Sequence, residues 1–250
     1  MNWQSVNKHH ILFFYFPLLM NAIRQILWLT QKDLILQFRT KDTLALIFMF
    51  SLLVVLVFSF AVGPVFPLDL EERSKLAASV LWVAFVFAGI IALTRSFDIE
   101  RANGAIHIIR LAGIDPSNFY LSKVLSNFIF LTILAFILTP VSLQFVESLN
   151  SVSVMTLFKL LGILSIGTLG LCAVGVILSG MASTTGGKES LLSVLLLPLV
   201  LPVIMAGTKC TVSLLLTESL RGTFWITLLI LYSIVFLTIS YLLFEFVIEG

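Results

Sequence analysis

RSFDIERANGAIHIIRLAGIDPSNFYLSK, residues 95–123, decides how the chain is organised. Seven of its residues are charged, namely Arg95, Asp98, Glu100, Arg101, Arg110, Asp115 and Lys123, and apolar sequence flanks it on both sides. A lone charge at the centre of a bilayer costs roughly 2.5–3.5 kcal/mol on insertion scales. Seven of them predict that the stretch lies in water between two membrane helices. Asn103-Gly104 suits the start of a short helix and Gly113 its end, and Asp115-Pro116 reads as the cap and first position of the next helix. At about 100° per residue, Ala102, Ala105, Ile106, Ile109 and Ala112 share one arc, while Asn103, His107 and Arg110 share another. A short amphipathic helix would rest its apolar side on the bundle and show the polar side to something else. The alternative is a solvated loop with a chance periodicity.

Outward from this stretch the chain is apolar. Of its 250 residues, 59% are hydrophobic and 11% charged, against roughly 25% charged in a soluble domain. Lipid must therefore cover much of the surface. Charge-free windows of about 20 residues mark crossings. They fall at 43–68, 76–94, 124–146, 160–187, 190–208 and 222–244, which predicts an all-α polytopic membrane protein with six transmembrane helices. Lys8, Arg24, Lys32, Arg39, Lys41, Arg95, Arg101, Arg110, Lys123 and Lys188 lie on one side, and Arg73, Lys75, Lys159, Lys209 and Arg221 on the other. This imbalance places both termini and the 95–123 stretch in the cytoplasm.

Residues 1–42 form an extension to the permease domain of residues 43–250. The apolar run 10–20 is short, Pro17 interrupts it, and no convincing cleavage site follows. Beyond it, Ile23, Ile26, Leu27, Leu34 and Phe38 share a helical face opposite Arg24, Gln25, Lys32 and Arg39. That pattern predicts an amphipathic helix lying at the cytoplasmic headgroups.

Two windows have unusual interiors. In the fourth, Gly162, Gly170, Ala173 and Gly180 fall within about 80° of one another with Gly167 nearby, which lets helix backbones approach closely. In the fifth, Pro198 and Pro202 each remove a backbone donor. They read either as a hinge or as a static kink.

Other chemistry is missing from the sequence. No window contains Asp, Glu, Lys, Arg or His, which argues against an ion-coupled carrier. Gly186-Gly187-Lys188-Glu189 lacks the spacing of a phosphate loop and no strand precedes it. The net charge of +2 gives no basis for nucleic-acid binding. Cys172 and Cys210 have no metal spacing. No nucleophile, base and orienter cluster is visible, so the chain is not expected to be an enzyme. The three histidines lie outside the windows, so no haem held by histidine within the bundle is expected, and no other cofactor is assigned to the chain.

One series of motifs resembles a known family. Leu81-Trp82-Val83-Ala84-Phe85, Leu93-Thr94-Arg95-Ser96-Phe97, Asn103-Gly104-Ala105 and Ile114-Asp115-Pro116 are similar to the CcmB family, the membrane subunit of the cytochrome c maturation system. The likeness continues through Lys123, Ile166-Gly167-Thr168-Leu169-Gly170, Gly186-Gly187-Lys188 and the run from Leu195 to Pro202. Thr94 stands where the family often has an acidic residue, and His107 where it tends to have Glu. The resemblance implies an ABC-2 (type V exporter-like) permease fold, N-in and C-in, working as a homodimer on two copies of the ATPase subunit CcmA. It further implies that ATP is bound by that partner and that haem is a substrate of the complex, with CcmC, CcmD and the haem chaperone CcmE as partners. Arg95, Glu100, Arg101, Asn103, Gly104, His107 and Arg110 would form the ATPase-docking surface, and Gly167, Gly170, Pro198 and Pro202 the packing and hinge positions. The bacterial inner membrane is the expected location, and the mitochondrial inner membrane is the other that the resemblance allows. The rival readings are a type-2 permease for a lipid, drug or polysaccharide, a secondary carrier, and a membrane scaffold.

Overall fold

The computed structural model describes residues 22–62, 69–102, 114–143, 153–184, 189–217 and 223–249. They form seven helices: α1 (Ala22–Arg39), α2 (Lys41–Val62), α3 (Leu70–Ala102), α4 (Pro116–Leu143), α5 (Val154–Thr184), α6 (Glu189–Thr217) and α7 (Thr223–Glu249). No strand occurs among the described residues. Five helices, α3 to α7, are long and apolar enough to cross a bilayer, and there are six if the α1–α2 pair, bent by 70°, is counted as one span. The all-helical polytopic architecture expected from the apolar windows is therefore the architecture found.

The helices outrun the windows. The second window has charge-free limits at 76 and 94, yet α3 is 33 residues long, about 50 Å at 1.5 Å per residue. A hydrocarbon core is only about 30 Å thick. Charge therefore marks where a helix leaves lipid, not where the helix ends. Local caps fix the true starts. At α3 the Glu72 amide donates to Asp69 Oδ1 at 2.8 Å and the Asp69 amide to Glu72 Oε2 at 3.3 Å, a reciprocal capping box. At α4 the Ser117 amide donates to Asp115 Oδ1 at 2.8 Å and Pro116 takes the first helical position, where its missing N–H costs nothing. The Asp115-Pro116 start read from the sequence is the start observed.

α5 lies at the centre and packs against α3, α4, α6 and α7. Its small residues explain how. A methyl group at Gly167 would sit 2.5 Å from Trp82 Cη2 of α3, and one at Gly207 of α6 would overlap the same ring. Trp82 is fully buried between those two glycines, and its indole N–H donates to Thr211 Oγ1 at 3.0 Å. A large aromatic with a satisfied polar edge thus joins three helices. On a different side of α5, a methyl at Gly170 would press on Tyr232 and Ser233 of α7, and one at Gly180 on Phe244. Tyr120 of α4 reaches the same region and donates to the Ala173 carbonyl at 3.0 Å. The small residues of α5 therefore serve two faces, one toward Trp82 and one toward α7.

Within α6, Pro198 and Pro202 lie inside one continuous helix. Between them the Leu199 carbonyl accepts a hydrogen bond from the Tyr232 hydroxyl at 2.6 Å. That bond ties the proline-bearing turn to α7 and gives an interior carbonyl a second partner in a stretch where backbone donors are missing.

The packing predicts opposite outcomes at two glycines. Gly207→Val should lose about 1–3 kcal/mol through overpacking on Trp82. Gly162→Ala, where an added methyl meets nothing within 4 Å, should leave thermal unfolding in detergent unchanged or slightly improved. Equal melting of both variants would remove the Trp82 slot as a determinant of stability.

Candidate functional site

Four charged side chains meet where α1 runs beside α3 and α4. Lys123 of α4 places Nζ 2.8 Å from Glu100 Oε1 of α3 and 2.9 Å from Asp33 Oδ2 of α1. Lys32 closes the circuit, with Nζ 2.7 Å from the same Glu100 oxygen and 3.1 Å from Asp33 Oδ1. The result is a ring of alternating charge with no net charge. The side chains of Lys123, Asp33 and Glu100 are 2%, 3% and 2% exposed, while Lys32 is 40% exposed. The rings of Phe97 and Phe119 flank the Lys123 ammonium, their centroids 5.7 and 5.5 Å away, which adds cation–π attraction in a dry setting.

The bonding within the ring is uneven. Glu100 accepts aligned hydrogen bonds from both lysines, whereas the Asp33 oxygens lie near ammonium nitrogens without a hydrogen-bond geometry. Asp33 is held by charge. Glu100 Oε2 is buried and has no hydrogen-bond partner. Burial pushes the Glu100 carboxyl upward, but the Lys123 and Lys32 ammoniums together outweigh it and hold the group below the usual carboxylate value.

A polar seam continues the attachment of α1 to α4. Asn118 Nδ2 donates to Gln25 Oε1 at 3.3 Å, the Thr30 hydroxyl to the Ser122 carbonyl at 3.4 Å, and Gln37 Nε2 to Asn127 Oδ1 at 3.1 Å. Asn127 in turn donates to the Lys123 carbonyl at 2.8 Å and to Ser96 Oγ at 3.4 Å. The contacts advance together along both helices, so α1 runs in the same direction as the first half of α4. Its docked side carries Thr30, Asp33 and Gln37, while Ile23, Leu27, Trp28, Ile35 and Phe38 are exposed. These five apolar residues remain exposed, while Leu29 and Leu34 pack against the core and a polar flank adds hydrogen bonds to the bundle.

This geometry corrects one expectation. Glu100 and Lys123 do not sit in water. Each is buried, and an opposite charge met in the interior offsets the desolvation penalty that a lone one would carry in full. Glu100 therefore does not present its carboxylate on the surface expected for docking: it is an interior partner. Arg95 is exposed on α3. Arg101 is helical, with its side chain outside the described residues, and Asn103, Gly104, His107 and Arg110 lie in the 103–113 segment outside them. Gly167 and Gly170 occupy helix contacts as given above. The sequence pattern does not single out Asp33, whose buried partner Lys123 is far off in the chain. The nearest sequence signal is that Asp33 shares a helix flank with Thr30 and Gln37.

Comparison with known proteins agrees with this architecture. A family model described as CcmB protein matches residues 24–248. Heme exporter protein B of Bradyrhizobium diazoefficiens is 28% identical over 73% of this chain and 79% of its own length. The heme exporter protein B of Pseudomonas aeruginosa is 29% identical over 78% of this chain and 81% of that protein. That of Haemophilus influenzae is 27% identical, over 64% and 69%.

Removing one member of the ring strands the others. Lys123→Met should cost about 3–5 kcal/mol, and the double variant with Glu100→Gln less than the sum of the two singles. Because the folded Glu100 carboxyl lies below its ordinary value of 4.5, its stabilisation is complete above that pH and is lost as pH falls through the folded value. Unfolding measured against pH in detergent should show this acid loss in the parent chain and a flatter profile in Glu100→Gln. Additive single effects would show that the four charges do not act as a ring.

Proposed function

The chain belongs to the CcmB protein family, and on that premise we propose that it is the permease subunit of an ATP-driven haem exporter serving cytochrome c maturation. The family match over residues 24–248 is the observation that carries this reading. In it, two copies of this chain span a bacterial inner membrane with an ABC-2 fold, both termini in the cytoplasm. Two copies of the ATPase subunit CcmA supply the energy, and CcmC, CcmD and the chaperone CcmE take part in handling haem. The chain is a transporter subunit and leaves nucleotide chemistry to its partner.

The coupling is mechanical. Arg101, Asn103, Gly104, His107 and Arg110, with Arg95 on the preceding helix, are the surface we assign to the ATPase. They join the end of α3 to the start of α4. Glu100 lies in the last turn of α3 and Lys123 two turns into α4. A push on the intervening segment therefore moves both members of the charge ring, and the ring carries the motion to α1 through Lys32 and Asp33. Glu100 serves here as a positioning residue. Pro198 and Pro202 give α6 a site at which to bend as the neighbouring helices tilt.

Docking is tested by changing Arg101, Asn103 and Arg110 singly to glutamate. At least one should lower co-purification of the ATPase several-fold; wild-type recovery in all three would remove this surface. For the bend, replacing both Pro198 and Pro202 by alanine should reduce cytochrome c yield at unchanged protein level, and full yield would dismiss the hinge.

A further inference from the structure

The exposed side of α1 and the adjoining side of α4 form a groove of about 780 Å³, inside the range of about 300–1,000 Å³ common for small-molecule sites. Leu34, Ile35 and Phe38 of α1 and Leu125 and Ile129 of α4 supply apolar walls, and Arg39 stands among the lining residues at the C-terminal end of α1. Apolar walls alone would accept any greasy occupant. Arg39 narrows the choice.

The two other cations nearest the seam, Lys32 and Lys123, are neutralised by Asp33 and Glu100. Arg39 is exposed and has no carboxylate partner among the described residues. Arg24 and Lys41, near the two ends of the same segment, are also exposed and have none. The lining residue Ile129 lies six positions past Lys123 on α4, about 9 Å along its axis. A guanidinium beside apolar walls in a membrane protein seeks an anion at its tip while its stem stays in apolar surroundings. The occupant must then combine an apolar tail with an anionic head.

We propose that the α1–α4 groove seats one anionic phospholipid, its phosphate on Arg39 and an acyl chain along Ile35, Phe38 and Ile129. Gln31 is exposed at the opposite end of the same groove. Such a lipid would cover the exposed side of α1 and hold that helix against α4 from outside, as the charge ring holds it from within. The site does not depend on the haem reading, because its chemistry uses none of the residues assigned to the ATPase contact.

The test uses the purified full chain in mild detergent, titrated with phosphatidylglycerol or phosphatidylcholine of identical acyl chains and read by native mass spectrometry. The parent chain should retain phosphatidylglycerol about fivefold more strongly, the effect of one basic residue near an anionic surface. Arg39→Gln should bring the two lipids to parity, Arg24→Gln should keep the preference, and Ile129→Trp should lower retention of both by filling the groove. Parity in the parent chain would overturn the proposal, as would a preference that survives Arg39→Gln or falls equally in Arg24→Gln. A photocrosslinker replacing Ile35 that captured a protein, or residues 1–21 of this chain, in place of lipid would overturn it too.

Discussion

A buried ammonium must meet negative charge or give up its own, and Lys123 meets two carboxylates. Desolvating a single ion costs several kcal/mol even after the protein relaxes. The expense is tolerable only because Glu100 and Asp33 arrive from two other helices. Three helices are thereby obliged to converge at one point. The position of α1, which with α2 is one of the two described helices that do not qualify as a membrane span by themselves, follows in large part from this requirement. Its polar flank is docked together with Leu29 and Leu34.

A second constraint governs the rest of the bundle and is steric. Trp82 occupies a slot made by Gly167 and Gly207, and α7 closes on α5 at Gly170 and Gly180. Bilayer lipid is as apolar as leucine, so hydrophobic burial gives helices little reason to associate there. Close fit and interhelical hydrogen bonds, such as Trp82 to Thr211 and Tyr120 to Ala173, supply the missing specificity. The charge ring at one end and the aromatic slot in the body therefore divide the task. The first joins α1 to the bundle, and the second keeps α3, α5 and α6 together as a block. A push delivered near the ring would move helices as whole bodies, since packed interiors resist continuous deformation.

Much of this was legible in the sequence. Apolar windows located α2 to α7, Asp115-Pro116 located the start of α4, and the small residues of α5 pointed to close approach. What was not legible depends on meetings across long separations. Lys32 and Glu100 are 68 residues apart, and nothing in local periodicity brings them together. A charge count treats each ion as alone, so it sent Glu100 and Lys123 into water when pairing had moved them inside. Helix lengths were underread for a related reason: an exposed lysine such as Lys209 ends an apolar window while α6 continues to Thr217. The residues at 103–110 proposed for docking stand outside the described residues, and that proposal rests on the family resemblance.

The ring also sets an order of assembly. Lys32 and Asp33 leave the ribosome first, yet their counterions on α3 and α4 emerge much later. Until position 100 has been synthesised the α1 pair has only itself and water for company, and Asp33 lacks its buried partner until position 123 follows. The earliest of the described helices is thus among the last to settle, and its full docking reports that the α3–α4 hairpin is already in place. A chain truncated before residue 100 would leave α1 without either of its distant counterions.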